Sequence, residues 1–132
     1  MLLSIIIPCY NAGSYIKRAI ESIVSQKKIY DYEIIIVNDG SADNSQEIVM
    51  RISKEYSFVN VISQTNKGVS AARNAGLQIA QGNYCYFMDA DDVLADTFFR
   101  KTHKLLQKDY DMIVFGFNYN RKKNSFSAIC SR

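Results

Sequence analysis

Five short apolar runs punctuate the chain, and each of the first four breaks off into polar residues. Leu3–Ile7 leads into Pro8-Cys9-Tyr10-Asn11, and Glu33–Val37 into Asn38-Asp39-Gly40-Ser41. Phe58–Ile62 leads into Ser63-Gln64-Thr65-Asn66, and Tyr84–Met88 into Asp89-Ala90-Asp91-Asp92. The fifth run is Met112–Phe117. Runs this short, rich in Ile and Val and lacking polar alternation, predict strands buried on both faces. Between them apolar residues recur at helical spacing: Ile16, Ala19, Ile20, Ile23 and Val24; then Ile48, Val49, Ile52 and Tyr56; then Val69, Ala72, Gly76, Ile79 and Ala80. Phe98, Phe99, Leu105 and Leu106 form a less regular fourth face. Asn44 with Glu47 three residues on predicts a capping box for the second helix, and Asp96 a cap for the fourth. Alternation of strand and helix predicts an α/β fold with a largely parallel sheet.

That topology gives the polar breaks a common address. Ligands of open parallel sheets bind outside the carboxyl ends of the strands. Tyr10 and Asn11, then Asn38, Asp39 and Gly40, then Asp89, Ala90 and Asp91 are predicted to gather along that edge. Lys67, Gly68 and Arg73, near the start of the third helix, bring positive charge and free helix amides suited to an anion. The fourth break is the most informative, because Asp89, Asp91 and Asp92 place three carboxylates within four positions at a strand end. Their mutual repulsion needs a partner, and a divalent cation with oxygen ligands is the simplest. One crevice thus combines carboxylates, cations and amides, the mixture a metal-bound diphosphate requires.

Structural explanations suffice for several other residues. Asp43 reads as a turn or cap residue, and Asn38 and Gly40 as turn formers. Gly76 falls on an apolar helix face and permits close helix–sheet packing. His103, the single histidine, sits in a Lys-rich helix and reads as exposed. Tyr84 and Tyr86 read as strand packing.

Composition narrows the class. The 132 residues make one domain with a real core. A hydrophobic content of 48% and a charged content of 22% are ordinary for a globular protein. The net charge of +3 is too small to imply nucleic acid. Arg121-Lys122-Lys123 reads as a solvated tail rather than a membrane or nucleic-acid patch. Cys9, Cys85 and Cys130 lack paired spacing, which argues against a disulfide framework or zinc site. Cys9 and Cys85 read as core thiols in a reducing compartment. Met1 is followed directly by a strand, without a charged leader or cleavage site, and no apolar run approaches membrane-spanning length.

Four segments taken in order resemble the successive signatures of family 2 glycosyltransferases: Ser4–Asn11, Asn38–Asp43, Asn66–Gly76 and Asp89–Asp92. The resemblance covers nearly the whole chain to Phe117, and four ordered motifs are far more specific than a lone Asp-x-Asp. It implies the GT-A fold, a Rossmann-like open and mainly parallel sheet with helices on both faces. Residues 1–117 would be the nucleotide-diphospho-sugar-binding domain, and 118–132 the start of a truncated acceptor region or a flexible tail.

By the same resemblance, Pro8, Tyr10 and Asn11 would line the nucleotide pocket, with Tyr10 close to the base. Asp39 would hydrogen-bond the base, usually uracil. Lys67 would lie with Arg73 near the nucleotide and its diphosphate. Asp89, directly or through neighbours such as Ala90, would bind the ribose. Asp91, with Asp89, would hold Mn²⁺ or Mg²⁺, and Asp92 would position the donor sugar or support Asp91. The implied reaction moves a sugar, with inversion, from a nucleotide-diphospho-sugar, in the main a UDP-sugar, to an acceptor hydroxyl in polysaccharide or glycan synthesis. The acceptor would be a growing polysaccharide or a lipid-linked glycan, and no nucleic acid is involved. A cytoplasmic enzyme at the inner face of the membrane is expected, with peripheral membrane attachment of the full-length protein and a homodimer left open.

The chain departs from the family in one respect: no residue suits the general base that activates the acceptor. Asp109 and Asp111 start a strand, on the wrong edge of the sheet, so the base is expected beyond Arg132 and this chain is expected to hold only the donor half. A non-catalytic nucleotide- and metal-binding module is the alternative, separated by turnover. A receiver domain would carry an acidic pair after the first strand, where Pro8, Cys9, Tyr10 and Asn11 stand. Walker A and Gly-x-Gly-x-x-Gly sequences are absent.

Overall fold

The computed structural model describes residues 1–119 and 122–131. The elements are β1 (Leu3–Cys9), α1 (Ile16–Val24), β2 (Tyr32–Asp39), α2 (Ser45–Glu55), β3 (Val59–Gln64), α3 (Val69–Ile79), β4 (Tyr84–Phe87), α4 (Phe98–Leu106), β5 (Met112–Tyr119) and β6 (Lys122–Ser131). They build one six-stranded sheet in the order β3-β2-β1-β4-β6-β5. β3, β2, β1 and β4 are mutually parallel, whereas β6 runs antiparallel to both β4 and β5. The α/β fold with a mainly parallel open sheet is therefore as the alternation predicts.

Helices cover both faces unequally. Ile16, Ala19, Ile20 and Ile23 of α1, Ile48, Val49 and Ile52 of α2, and Phe98, Phe99 and Leu106 of α4 share a core with Leu3, Ile5 and Ile7 of β1 and Ile34 and Ile36 of β2. On the other face Ala72 of α3 packs with Ile6, Ile35, Val37 and Cys85. β1 and β2 are thus buried on both sides, which is why their sequences show no polar alternation. β3 and β5 depart from that expectation. β3 is an edge strand with exposed positions, and in β5 Met112 and Val114 are exposed while Ile113 between them is buried.

The C-terminal segment forms strand, and the helix caps differ from expectation. In the segment expected as the start of a truncated acceptor region or a flexible tail, Asn118 and Tyr119 end β5 and Lys122–Ser131 form a sixth strand; β6 inserts between β4 and β5, pairing Tyr86 with Ile129 and Ile113 with Ile129. In the basic cluster Arg121 lies outside the described residues, and the backbone of Lys122 and Lys123 begins β6. The caps also differ. Asn44 precedes α2 without a side-chain cap, and Asp43 instead accepts from the Ser45 N–H at 3.0 Å. Thr97, not Asp96, precedes α4, again without a side-chain cap.

Gly76 brings α3 against the sheet. A Cβ there would lie 2.5 Å from Ile6 Cγ2 and 3.3 Å from Val37 Cγ2. Close packing of helix on strand at this point sets where the N-terminus of α3 meets the strand ends.

Candidate functional site

The carboxyl ends of β1, β2 and β4 and the start of α3 enclose a cavity of about 470 Å³. That lies within the roughly 300–1,000 Å³ typical of small-ligand pockets. Pro8, Tyr10, Asn11, Asp39, Asp89, Ala90 and Asp91 all line it, so seven residues singled out from the sequence converge. Lys67 and Arg73 do not line it and reach it through their neighbours. Cys9, Ala12, Tyr15, Asn66, Gly68, Val69 and Ala72 complete the lining. Sequence reasoning overlooked Tyr15 and Asn66. Their signal was position alone: each lies in the loop between a strand end and the following helix.

Asp39 closes the floor. It is the last residue of β2, pairs with Gln64 of β3 in the ladder, and is 3% exposed. Its Oδ1 accepts from Gln64 Nε2 at 2.7 Å and from the Lys67 N–H at 2.9 Å, and its Oδ2 from the Gly68 N–H at 2.9 Å. Burial alone would push this carboxyl up. The Gln64 amide, the two backbone N–H groups and the charge of Lys67 outweigh it and hold the group below the usual carboxylate range. Lys67 thus serves Asp39 with its backbone. The turn can form because Gly40 and Gly68 adopt φ of 72° and 87°.

The acidic cluster is differentiated by position. Arg73 of α3 donates from Nη2 to Asp89 Oδ1 at 2.8 Å. Its Nε is buried without a partner among the described residues, so the guanidinium has more donors than the protein uses. Asp91 is exposed and makes no hydrogen bond or ion pair among the described residues. Partial burial, with the charges of Asp89 and Asp91, pushes the Asp92 carboxyl up. Arg73 therefore meets part of the repulsion for which a divalent cation is the simplest partner in the sequence.

The described residues form no cluster of three or more His, Cys, Asp or Glu able to hold a metal unaided. Two rim carboxylates with spare oxygens are nevertheless the donor set that Mg²⁺-like ions use when substrate phosphates complete the shell. Asp109, in a left-handed conformation at φ 55°, borders a separate cavity at the opposite sheet edge with Gln81, Asn83 and Tyr84. It is remote from the site, as its place before β5 predicts. Tyr84 and Tyr86 pack in the core. His103 stacks on Tyr30 at 5.8 Å.

A parallel sheet bearing a nucleotide-sized cavity at its strand ends, rimmed by carboxylates, is the build of GT-A glycosyltransferases. The model of glycosyl transferase family 2 matches residues 4–130, and the chain belongs to that family. It is 40% identical over 117 residues to the glycosyltransferase EpsJ of Bacillus subtilis, covering 88% of this chain and 34% of EpsJ. The fold matches residues 1–349 of Staphylococcus aureus TarS, solved with UDP-GlcNAc, with a TM-score of 0.76 at 26% identity, covering 85% of this chain and 33% of that one. It also matches a mannosyltransferase of Pyrobaculum calidifontis, solved with GDP-Man and Mn²⁺, with a TM-score of 0.77 at 22% identity, covering 90% of this chain and 36% of that one. The chain thus spans about a third of the length of these relatives.

Proposed function

We propose that the cavity binds a UDP-sugar together with Mn²⁺ or Mg²⁺. The chain is then the donor-binding part of an inverting glycosyltransferase that glycosylates an acceptor hydroxyl of a polysaccharide or lipid-linked glycan. The carrying observation is the state of Asp39. An ionised carboxylate offers about four acceptor positions, and protein donors take three of them. The fourth, in a carboxylate that lines the cavity, suits the imide N–H of uracil. Likeness to TarS, which was solved with UDP-GlcNAc, supports the same donor class.

The other residues divide the remaining work. Tyr10, 53% exposed at the cavity, covers the base beside Pro8 and Asn11. Asp89, steadied by Arg73, meets the ribose, and Lys67 and Arg73 place positive charge near the diphosphate. Asp91 with Asp89 would hold the cation, which supplies positive charge to the departing diphosphate. We assign the acceptor and its general base to the portion of the relatives that this chain does not span. The carboxylates that line the cavity, Asp39, Asp89 and Asp91, serve Gln64, Lys67, Gly68, Arg73 and the cation, and Asp109 borders the opposite edge. No helix among the described residues is long and apolar enough to cross a membrane, and we place the site in the cytoplasm, at the inner membrane face, where nucleotide sugars are supplied.

Calorimetric titration of UDP, GDP and ADP, each in MnCl₂ and in EDTA, tests this reading. UDP is expected to bind most tightly and to need the metal for full affinity. Absence of UDP binding, or equal affinity for ADP, overturns it. Donor turnover by the 132-residue chain is expected to be slow, because a base within hydrogen-bond reach of the acceptor is needed.

A further inference from the structure

Three consecutive backbone amides in the loop between β1 and α1 are held by side chains of the loop between β2 and α2 and of Ser45, the first residue of α2. The Asn11 N–H donates to Ser41 Oγ at 3.1 Å, the Ala12 N–H to Ser45 Oγ at 2.9 Å, and the Gly13 N–H to Asp43 Oδ2 at 2.9 Å. The clasp is reciprocal, since the Ala42 N–H donates to Asn11 Oδ1 at 2.8 Å. Asp43 Oδ1 ties the clasp to α2, accepting from the Ser45 N–H at 3.0 Å and from Ser45 Oγ at 2.5 Å. The loops touch so closely that a Cβ on Gly13 would overlap the Asn44 side-chain carbonyl. Asn11 takes a left-handed φ of 49°, a conformation Asn tolerates better than most residues.

The two loops have different relations to the cavity. Tyr10, Asn11 and Ala12 line it, whereas Ser41, Asp43 and Ser45 are not among its lining residues. We propose that Asp43 is a positioning residue for the nucleotide, acting through Ser45 and the Gly13 amide to hold the Tyr10–Ala12 wall in its binding geometry. This rests on reading the cavity as a nucleotide site. A residue that merely started α2 would need only the bond to the Ser45 N–H; Asp43 also reaches thirty residues back along the chain. Both its oxygens accept. The Ser45 hydroxyl, then the Gly13 and Ser45 amides, hold its carboxyl below the usual range, so it is ionised and acceptor-only at neutral pH. Asparagine keeps the shape but turns an NH₂ toward one of these donors, and so cannot replace it.

The test uses the ¹⁵N-labelled 132-residue chain and its Asp43→Asn and Asp43→Ala variants. Amide exchange is followed by NMR without nucleotide, and UMP and UDP are titrated calorimetrically with and without Mn²⁺. In the variants the amides of residues 11–13 are expected to exchange at least tenfold faster, with β1 and β2 amides unchanged. UMP and UDP are expected to lose affinity by the same factor, tenfold or more, leaving the ratio of UDP affinities with and without Mn²⁺ unaltered. Asn11→Gly keeps the left-handed backbone, removes the reciprocal bond, and is expected to show the same pattern at smaller size. Exchange that quickens uniformly through β1 and β2, or UMP affinity unchanged despite a loosened wall, overturns the proposal. A wild-type chain that binds neither nucleotide instead overturns the nucleotide reading, while the exchange data still judge whether Asp43 holds the wall.

Discussion

Arg73 Nη2 lies 2.8 Å from Asp89 Oδ1, joining α3 to the turn that follows β4. The pair makes the two cavity-lining aspartates of that turn unequal. Asp89 is tethered and its charge shared, while Asp91, two residues on, has no protein partner among the described residues. One carboxylate is fixed for a directional contact, and the other is left for a cation.

Both members of the pair are partly exposed, with side-chain accessibilities of 36% for Arg73 and 57% for Asp89. Solvent screening keeps such bridges to about 0–1 kcal/mol of stability. Arg73→Ala is therefore expected to shift the thermal midpoint little but to weaken UDP clearly. The variant frees Asp89 and removes the cation nearest the acidic rim. Calorimetry and a melting curve on the same sample check this. Undiminished UDP affinity would remove Arg73 from the site, and a large loss of stability would give it a structural role instead.

Asp91→Ala is expected to leave the fold and UMP affinity intact and to abolish most of the gain in UDP affinity on adding Mn²⁺. The motive is a carboxylate at the cavity rim that has no protein partner among the described residues. UDP titrations of both proteins in MnCl₂ and EDTA decide it. If wild-type UDP affinity is the same in EDTA, neither Asp91 nor Asp89 serves a metal.

Much of this arrangement was legible in the sequence because burial on both faces writes continuous apolar runs, as in β1 and β2. The polar breaks at their ends then had to share one edge, and Tyr10, Asp39 and Asp91 do line one cavity. β6 was hidden for a physical reason. Its sequence, KKNSFSAICS, holds a single β-branched residue, Ile129, and its strand character comes from pairing with β4 and β5 rather than from local preference. Asn44 does precede α2, but its side chain makes no cap bond; Asp43 accepts from the Ser45 N–H instead, and nothing in the local sequence separates two such good cap formers. Likewise nothing local pairs Arg73 with Asp89, sixteen residues apart on different elements.

Gly76, by contrast, was readable as a contact residue from its place on the apolar face of α3. Gly76→Ala gains helix propensity of about 1 kcal/mol. It also drives a Cβ to 2.5 Å from Ile6 Cγ2, a methyl on a buried β-branched residue that cannot swing away. Overpacking of this kind costs about 1–3 kcal/mol, so a net loss of stability is expected in urea denaturation, with UDP affinity weakened through displacement of α3. A variant as stable as the wild type would show that helix and sheet can separate here without penalty.

Asp39 links the stability of the site to its specificity. Burial acts to raise its carboxyl, but Gln64, the Lys67 and Gly68 amides and the Lys67 charge depress it overall. A folded value below the unfolded one, which is about 3.9, means that the stabilisation is complete above that pH. It is lost as pH falls through the folded value. Asp39→Asn removes the charge and points an NH₂ at one of three donors, leaving a buried donor unsatisfied at a cost of about 1–3 kcal/mol. Two outcomes follow. At pH 7 the variant should be less stable and bind UMP more weakly, with or without metal. Below about pH 4, where protonation removes the wild type's advantage, the stability difference between the two proteins should shrink. Taking that difference separates Asp39 from Asp43, which is also depressed and titrates in both proteins. Denaturant titrations across pH 3–7 measure it; a gap that stays constant to pH 3 would mean that the Asp39 charge does not hold the loop of Lys67 and Gly68 in place.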